Sequence, residues 1–129
     1  MTIVSIDLDD FGAVNKESGY KVGDSVLVTV TATLKNTLRE MDSIVRYGGD
    51  EFGLLLPETD APNARMVAGK CEGALAENMR AHKWNVTFSI GVVTFKTARH
   101  TEEMIDLANR VMSNAKRSGK NRISHLTVD

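Results

Sequence analysis

Three acidic side chains, Asp7, Asp9 and Asp10, follow the β-rich run Ile3-Val4-Ser5-Ile6. Along an extended backbone side chains alternate, so Asp7 and Asp9 project to one side and Leu8 to the other. A second acidic pair, Asp50 and Glu51, follows Gly48-Gly49 between two further β-rich runs. If those runs neighbour the first strand, carboxylates from both converge. Converging carboxylates repel unless a cation holds them, and hard oxygen ligands favour Mg²⁺. Such a site clamps phosphate oxygens and stabilises charge that develops in phosphoryl transfer. The same acids are also ordinary at strand ends and turns, where aspartate is common. A bunch of cations near the C-terminus, Lys116, Arg117, Lys120 and Arg122, would suit a triphosphate facing those acids. It equally suits a helix C-terminus with no ligand.

The elements that must position these groups follow from periodicity. Ile3 to Ile6 reads as a strand. From Val22, apolar Val26, Leu27, Val30, Leu34 and Leu38 recur at helical spacing. The β-branched run Val28 to Thr33 dissents by propensity, but period and length decide for a helix. Ser43–Tyr47 and Phe52–Leu56 form a hairpin around Gly48-Gly49-Asp50-Glu51, because glycine tolerates the positive φ of tight turns. Thr59 or Asp60 caps the next helix, with Pro62 in its first turn. Met66, Val67, Cys71, Leu75 and Met79 form that helix's inner stripe. Val86 to Phe95 is a long strand broken by Gly91. Thr101 caps a third helix with Glu102 and Glu103 at its positive end, and Gly119 suits its C-cap. Ile105, Ala108, Val111, Met112 and Ala115 line its buried face. Arg122 to Val128 is the last strand. The order β-α-β-β-α-β-α-β predicts an α+β, ferredoxin-like domain: one mostly antiparallel sheet with helices packed on one face.

Composition narrows the function classes. The chain has 129 residues, 42% hydrophobic and 26% charged, which fits one ordinary globular domain. Sixteen basic against seventeen acidic residues leave a net charge of −1, so nothing favours a nucleic-acid polymer or an anionic membrane as partner. One cysteine, Cys71, excludes a disulfide framework and an all-thiolate zinc site. His82, His100 and His125 lack ligand spacing. No apolar run approaches the ~20 residues of a membrane span. These features fit a reduced, cytoplasmic setting.

Arg46-Tyr47-Gly48-Gly49-Asp50-Glu51-Phe52 resembles the signature of the GGDEF family, the diguanylate cyclase domains. A chance match of the five residues Gly48 to Phe52 has odds on the order of one in ten thousand in a chain this long. Asp7-Leu8-Asp9-Asp10-Phe11 with Asn15 is similar to the family's first-strand motif, and Gly19-Tyr20-Lys21-Val22-Gly23-Asp24 to its next loop. Ser89-Ile90-Gly91-Val92 and Ala115-Lys116-Arg117-Ser118-Gly119-Lys120-Asn121 are similar to its later strand and closing segment. The resemblance runs in order along nearly the whole chain. It implies a palm-like fold shared with nucleotide cyclases, and a homodimer in which two GTP molecules meet. Each 3′-hydroxyl attacks the other's α-phosphorus, giving cyclic di-GMP and two pyrophosphates.

Residue by residue, the resemblance puts the metal ligands on Asp7, the Leu8 carbonyl and Asp50, for Mg²⁺ or Mn²⁺, two per active site. Asp50 and Glu51 are its catalytic pair, with Glu51 supporting the metal or the attacking hydroxyl. Phe11, Asn15, Asp24, Gly48, Gly49, Lys116 and Lys120 are its substrate residues. Gly48 and Gly49 would admit nucleotide where a Cβ would block it. Lys120 stands where the family commonly has arginine, keeping charge without the bidentate fork. Asp24 and Asn15 would read guanine's N1–H and N2–H₂ donors, which adenine does not offer. Their ordinary alternatives are a helix N-cap and a loop residue. Arg39-Glu40-Met41-Asp42 falls at the position of the family's product-inhibition site, with Lys70 where some relatives carry an opposing arginine.

Departures carry expectations too. Gly12 replaces the lysine that usually follows the motif phenylalanine, and Lys16 the acid that usually follows the asparagine. Both are expected to weaken triphosphate binding. The chain starts at the first strand, so residues 1–129 read as a GGDEF domain without its leading helix, with any sensor or receiver domain outside this chain. No heptad stripe builds a dimer, so the isolated chain is expected to turn over GTP poorly. Three classes compete: a cyclase, a degenerate module that binds cyclic di-GMP or GTP, and a ligand-free scaffold. The retained Asp7, Asp50 and Glu51 favour the cyclase, and Gly12 and Lys16 favour the binding module.

Overall fold

The computed structural model describes all 129 residues, Met1 to Asp129. The elements are β1 (Thr2–Asp9), α1 (Phe11–Ser18), α2 (Tyr20–Thr37), β2 (Ser43–Arg46), β3 (Glu51–Leu56), α3 (Ala61–Ala81), β4 (Thr87–Phe95), α4 (Thr101–Arg117) and β5 (Arg122–Val128). One five-stranded sheet has the order β2-β3-β1-β4-β5. Its first three pairings are antiparallel and β4–β5 is parallel. A parallel pair needs a crossover, and α4 provides it. The α+β class and the mostly antiparallel sheet agree with the sequence reading. The element order gains one helix.

That extra helix is α1. It buries only Phe11, so no amphipathic stripe announces it. Gly19 alone separates α1 from α2, and its φ of 90° is a conformation a side chain would strain. In α2 the hydroxyl-bearing residues turn their side chains back onto the helix. Ser25, Thr29, Thr33 and Thr37 each donate to the carbonyl four residues back, at 2.7–3.0 Å.

The helices do not share one face, contrary to expectation. Val4, Ile6 and Leu8 of β1 join α2 and α3 in a core cluster of 20 buried residues. Ile3 of β1 and Val93 and Phe95 of β4 pack instead with Met104, Ala108 and Val111 of α4. Strands β1 and β4 are therefore covered on both sides. Gly91 lets α4 come close, since a Cβ there would lie 2.3 Å from the Met112 nitrogen.

Smaller corrections concern ends and faces. Asp60, not Thr59, caps α3 and accepts from the Asn63 N–H at 3.0 Å, with Pro62 in the first turn. His100 holds the N-cap position of α4, one residue before Thr101. Met66 is 53% exposed and lies outside the α3 stripe. Gly48 and Gly49 are not in the positive-φ region, so the hairpin does not need glycine for its backbone.

Candidate active site

The centre of the site is the end of β1. Register places Asp7 opposite Glu51 of β3 and opposite Ser89 of β4. The Leu8 N–H donates to the Asp50 carbonyl at 3.1 Å, tying the hairpin turn to the strand. One oxygen from each of Asp7, Asp50 and Glu51 lies within 4.8 Å of the others. Asp7 is buried, Asp50 half-buried and Glu51 exposed. Lys116 of α4 donates to Asp7 Oδ2. Asp7 Oδ1 is buried and has no hydrogen-bond partner. Burial pushes the Asp7 carboxyl above its ordinary value, against the pull of Lys116. Burial disfavours the Lys116 ammonium, but its bond to Asp7, with Asp9 and Asp50 nearby, more than offsets this and raises its pKa.

An all-oxygen donor set with one unpartnered buried oxygen fits a hard divalent cation. The expected ligands Asp7 and Asp50 are thus together, with Glu51 beside them. Asp9 was grouped with Asp7 by spacing, and the structure separates the two. Its oxygens accept from Thr87, Ser89 and the Asn121 N–H, and it stands outside the cluster of Asp7, Asp50 and Glu51.

Around this centre the other expected residues fall in two regions. Lys120 donates to Asp10 Oδ1 at 2.7 Å, which holds the Asp10 carboxyl below its ordinary range. The two lysines expected at phosphate therefore stand beside β1, each paired with an acid of the first motif. Arg46, which sequence reasoning did not single out, donates to the carbonyls of Gly48 and Gly49, both at 2.9 Å. It fastens the turn that presents Asp50. Its place just before Tyr47-Gly48-Gly49 was the only signal.

Asn15 lies on α1 against Gly23, where a Cβ would sit 1.8 Å from Asn15 Oδ1. Asp24 follows Gly23 within α2, past its first turn, so it is not an N-cap. It is exposed and lines an open cleft of about 610 Å³ with Val28, Thr31, Lys35 and Arg46 among the walls. Phe11, expected among the substrate residues, is 7% exposed, and its side chain belongs to the core.

The Arg39–Asp42 turn is closed on itself. The Arg39 guanidinium donates to both Asp42 oxygens, at 2.7 and 3.1 Å, and to Pro57 O and Thr59 Oγ1. Burial pushes the Asp42 carboxyl up, but Arg39 more than offsets this and holds it below its ordinary value. Lys70 is exposed on α3, and no hydrogen bond or ion pair joins it to Arg39 or Asp42. Cys71 is buried, and burial pushes its thiol to about 11, as a core residue should show.

A mixed sheet that ends in a three-carboxylate cluster, with a glycine hairpin and two lysines beside it, has a palm-like form. The chain belongs to the GGDEF family: the domain described as "Diguanylate cyclase, GGDEF domain" matches residues 1–122. It is 29% identical over 126 residues to diguanylate cyclase DgcP of Pseudomonas aeruginosa, covering 95% of this chain and 19% of that protein. It is 32% identical over 128 residues to diguanylate cyclase A of Treponema denticola, covering 96% of this chain and 34% of that protein. The chain thus spans about a third of the length of one of these relatives and about a fifth of the other. Among solved structures it is similar to diguanylate cyclase SiaD of Pseudomonas aeruginosa, crystallised with its activator SiaC. That match has a TM-score of 0.85 and 30% identity, covering 96% of this chain and 49% of that one. No helix is long and apolar enough to cross a membrane.

Proposed function

We propose that this domain condenses two GTP molecules into cyclic di-GMP and two pyrophosphates, across a homodimer that brings two such sites together. The observation that carries the reading is the buried, unpartnered Asp7 Oδ1 within a cluster completed by Asp50 and Glu51. A pure scaffold has no use for a desolvated acid aimed into such a cluster.

Asp7, the Leu8 carbonyl and Asp50 would hold Mg²⁺ or Mn²⁺, two per site, with Glu51 supporting the metal or the attacking hydroxyl. Bound there, the cations would neutralise phosphate oxygens and ease ionisation of the 3′-hydroxyl. Lys116 and Lys120 supply positive charge to the phosphates. Asn15 and Asp24 accept guanine's donors. Gly48 and Gly49 leave open space at the hairpin, since a Cβ on either meets nothing within 4 Å of this chain. In each half-reaction a 3′-oxygen forms a bond to the α-phosphorus of the facing GTP. The bond to pyrophosphate breaks and the hydroxyl proton is released.

Product inhibition is assigned to Arg39, Asp42 and Lys70. There a guanine must compete with the bonds Arg39 already makes within the chain. The substrate is a nucleotide of the cytoplasm, so the domain works there, joined in its full protein to a sensor or receiver domain.

The test is chromatography of products after incubation with GTP and Mg²⁺, using the chain alone and fused to a dimerising coiled coil. The fusion should make cyclic di-GMP, and the unfused chain little or none. Asp50→Asn in the fusion should abolish turnover with an unchanged circular-dichroism spectrum. Wild-type rates from Asp50→Asn would remove the metal assignment, and an inactive wild-type fusion would remove the cyclase reading.

A further inference from the structure

We infer that Asp9 is a positioning residue that holds the α4–β5 turn, and with it Lys120, at the phosphate end of the site. The inference rests on the GTP reading above and adds a residue to it. Asp9 is 2% exposed. Ser89 Oγ donates to its Oδ1 at 2.6 Å, and Thr87 Oγ1 to its Oδ2 at 2.8 Å. These bonds anchor the carboxylate on β4. The third donor is the backbone N–H of Asn121, at 3.0 Å, from a turn far along the chain.

That turn needs a holder. Lys120 and Asn121 have φ of 61° and 46°, and Gly119 precedes them at 138°. Two consecutive non-glycine residues in the left-handed region persist only where the surroundings fix them. The Lys120 N–H reaches the Ala115 carbonyl at 3.2 Å, and Arg122 Nε donates to the Lys120 carbonyl at 3.1 Å. Both of those partners belong to the same closing segment. Asp9 is the buried link from the backbone of the turn to the end of β1, where Asp7 stands, beside the exposed Lys120–Asp10 pair and the pairing of Arg122 with Ser89 of β4. Without it the turn keeps its own contacts but loses its register on the acid cluster. The Lys120 ammonium, now 2.7 Å from Asp10, loses its fixed place.

The test separates phosphate from base. Affinity for GTP with Ca²⁺, and separately for GMP, is measured by calorimetry on the 129-residue chain. Asp9→Ala should weaken GTP binding by about tenfold or more, the scale of a lost charge-assisted bond. GMP affinity should stay within about twofold, because Asn15 and Asp24 lie on other elements. Asp9→Asn can turn its oxygen to the Asn121 N–H and its amide to the Ser89 hydroxyl, so it should restore most of the GTP affinity. In a Lys120→Gln background, Asp9→Ala should add little, because both changes remove the same contact. If Asp9→Ala does not fold, the near-isosteric Thr87→Val, which removes one of the carboxylate's two bonds to β4, must show the same GTP-against-GMP split in smaller measure. Equal losses for GTP and GMP, additive effects with Lys120→Gln, or no split in either variant would overturn the inference. A wild-type chain that binds no GTP would overturn the GTP reading instead.

Discussion

One methyl group added at Gly91 should lift α4 off the sheet. A Cβ built there would lie 2.3 Å from the Met112 nitrogen, 2.7 Å from the Ala108 carbonyl oxygen and 2.8 Å from the Met112 Cα. All three are backbone atoms, so no side-chain rotation relieves the clash. Ordinary contact begins at 3.4 Å, so the helix must retreat by about 1 Å. Overpacking of this kind costs roughly 1–3 kcal/mol. In a domain of this length each kcal/mol lowers the thermal midpoint by about 3–5 °C, so Gly91→Ala should melt roughly 3–15 °C lower. Lys116 and Asn109 ride on α4, bonded to Asp7 and Ser5. Displacing a positioned group by ~1 Å costs on the order of a hundredfold in rate. Cyclase activity of the dimerised domain should therefore fall at temperatures where the variant is still folded. Gly69→Ala is the control. It lies exposed within α3 with nothing within 4 Å of a new Cβ, and alanine should stabilise it by roughly 0.4–1 kcal/mol. Thermal denaturation followed by circular dichroism reads both. A Gly91→Ala midpoint at or above wild type would refute the argument that backbone contact sets the height of α4.

Gly49→Ala should leave the thermal midpoint within the equivalent of about 0.5 kcal/mol, since the new Cβ meets nothing in the chain, while calorimetry shows GTP binding lost. Unchanged binding would mean that the nucleotide does not approach this turn. Asp24→Ser should cut the preference for GTP over ATP by roughly tenfold or more, the loss of a charge-assisted bond worth about 1.5–3 kcal/mol, as competition binding would show. Arg39→Ala should destabilise in a pH-dependent way. Asp42 has a folded pKa below its ordinary 3.8, so the stability it contributes is present above that value and is lost as pH falls through the lower folded value. The gap in melting temperature between wild type and Arg39→Ala should accordingly be widest near neutrality and narrow toward pH ~3. A gap that does not change with pH would show that the ion pair contributes nothing.

Strands, hairpin, α3 and α4 were legible because each carries a period and a terminator. The face that α4 covers was misread although the signal was present. Ile3-Val4 and Val92-Val93 place apolar side chains on both faces of β1 and β4, where a sheet covered on one side would alternate. α1 was not legible, because one buried phenylalanine makes no stripe. The limit at the site is of another kind. Asp7 and Asp9 are the same residue type, two positions apart, on the same side of the same strand, and no local rule tells them apart. What separates them is what each meets across the sheet. Asp9 meets two hydroxyls of β4 and a backbone N–H, which fill its oxygens and make it part of the frame. Asp7 meets Glu51 across β3 and one lysine, and keeps an oxygen with no partner. A two-residue step in strand position thus divides a carboxylate that holds the protein from one left to hold something else. That division is set by the register of β1 against β3 and β4, which only the assembled sheet determines.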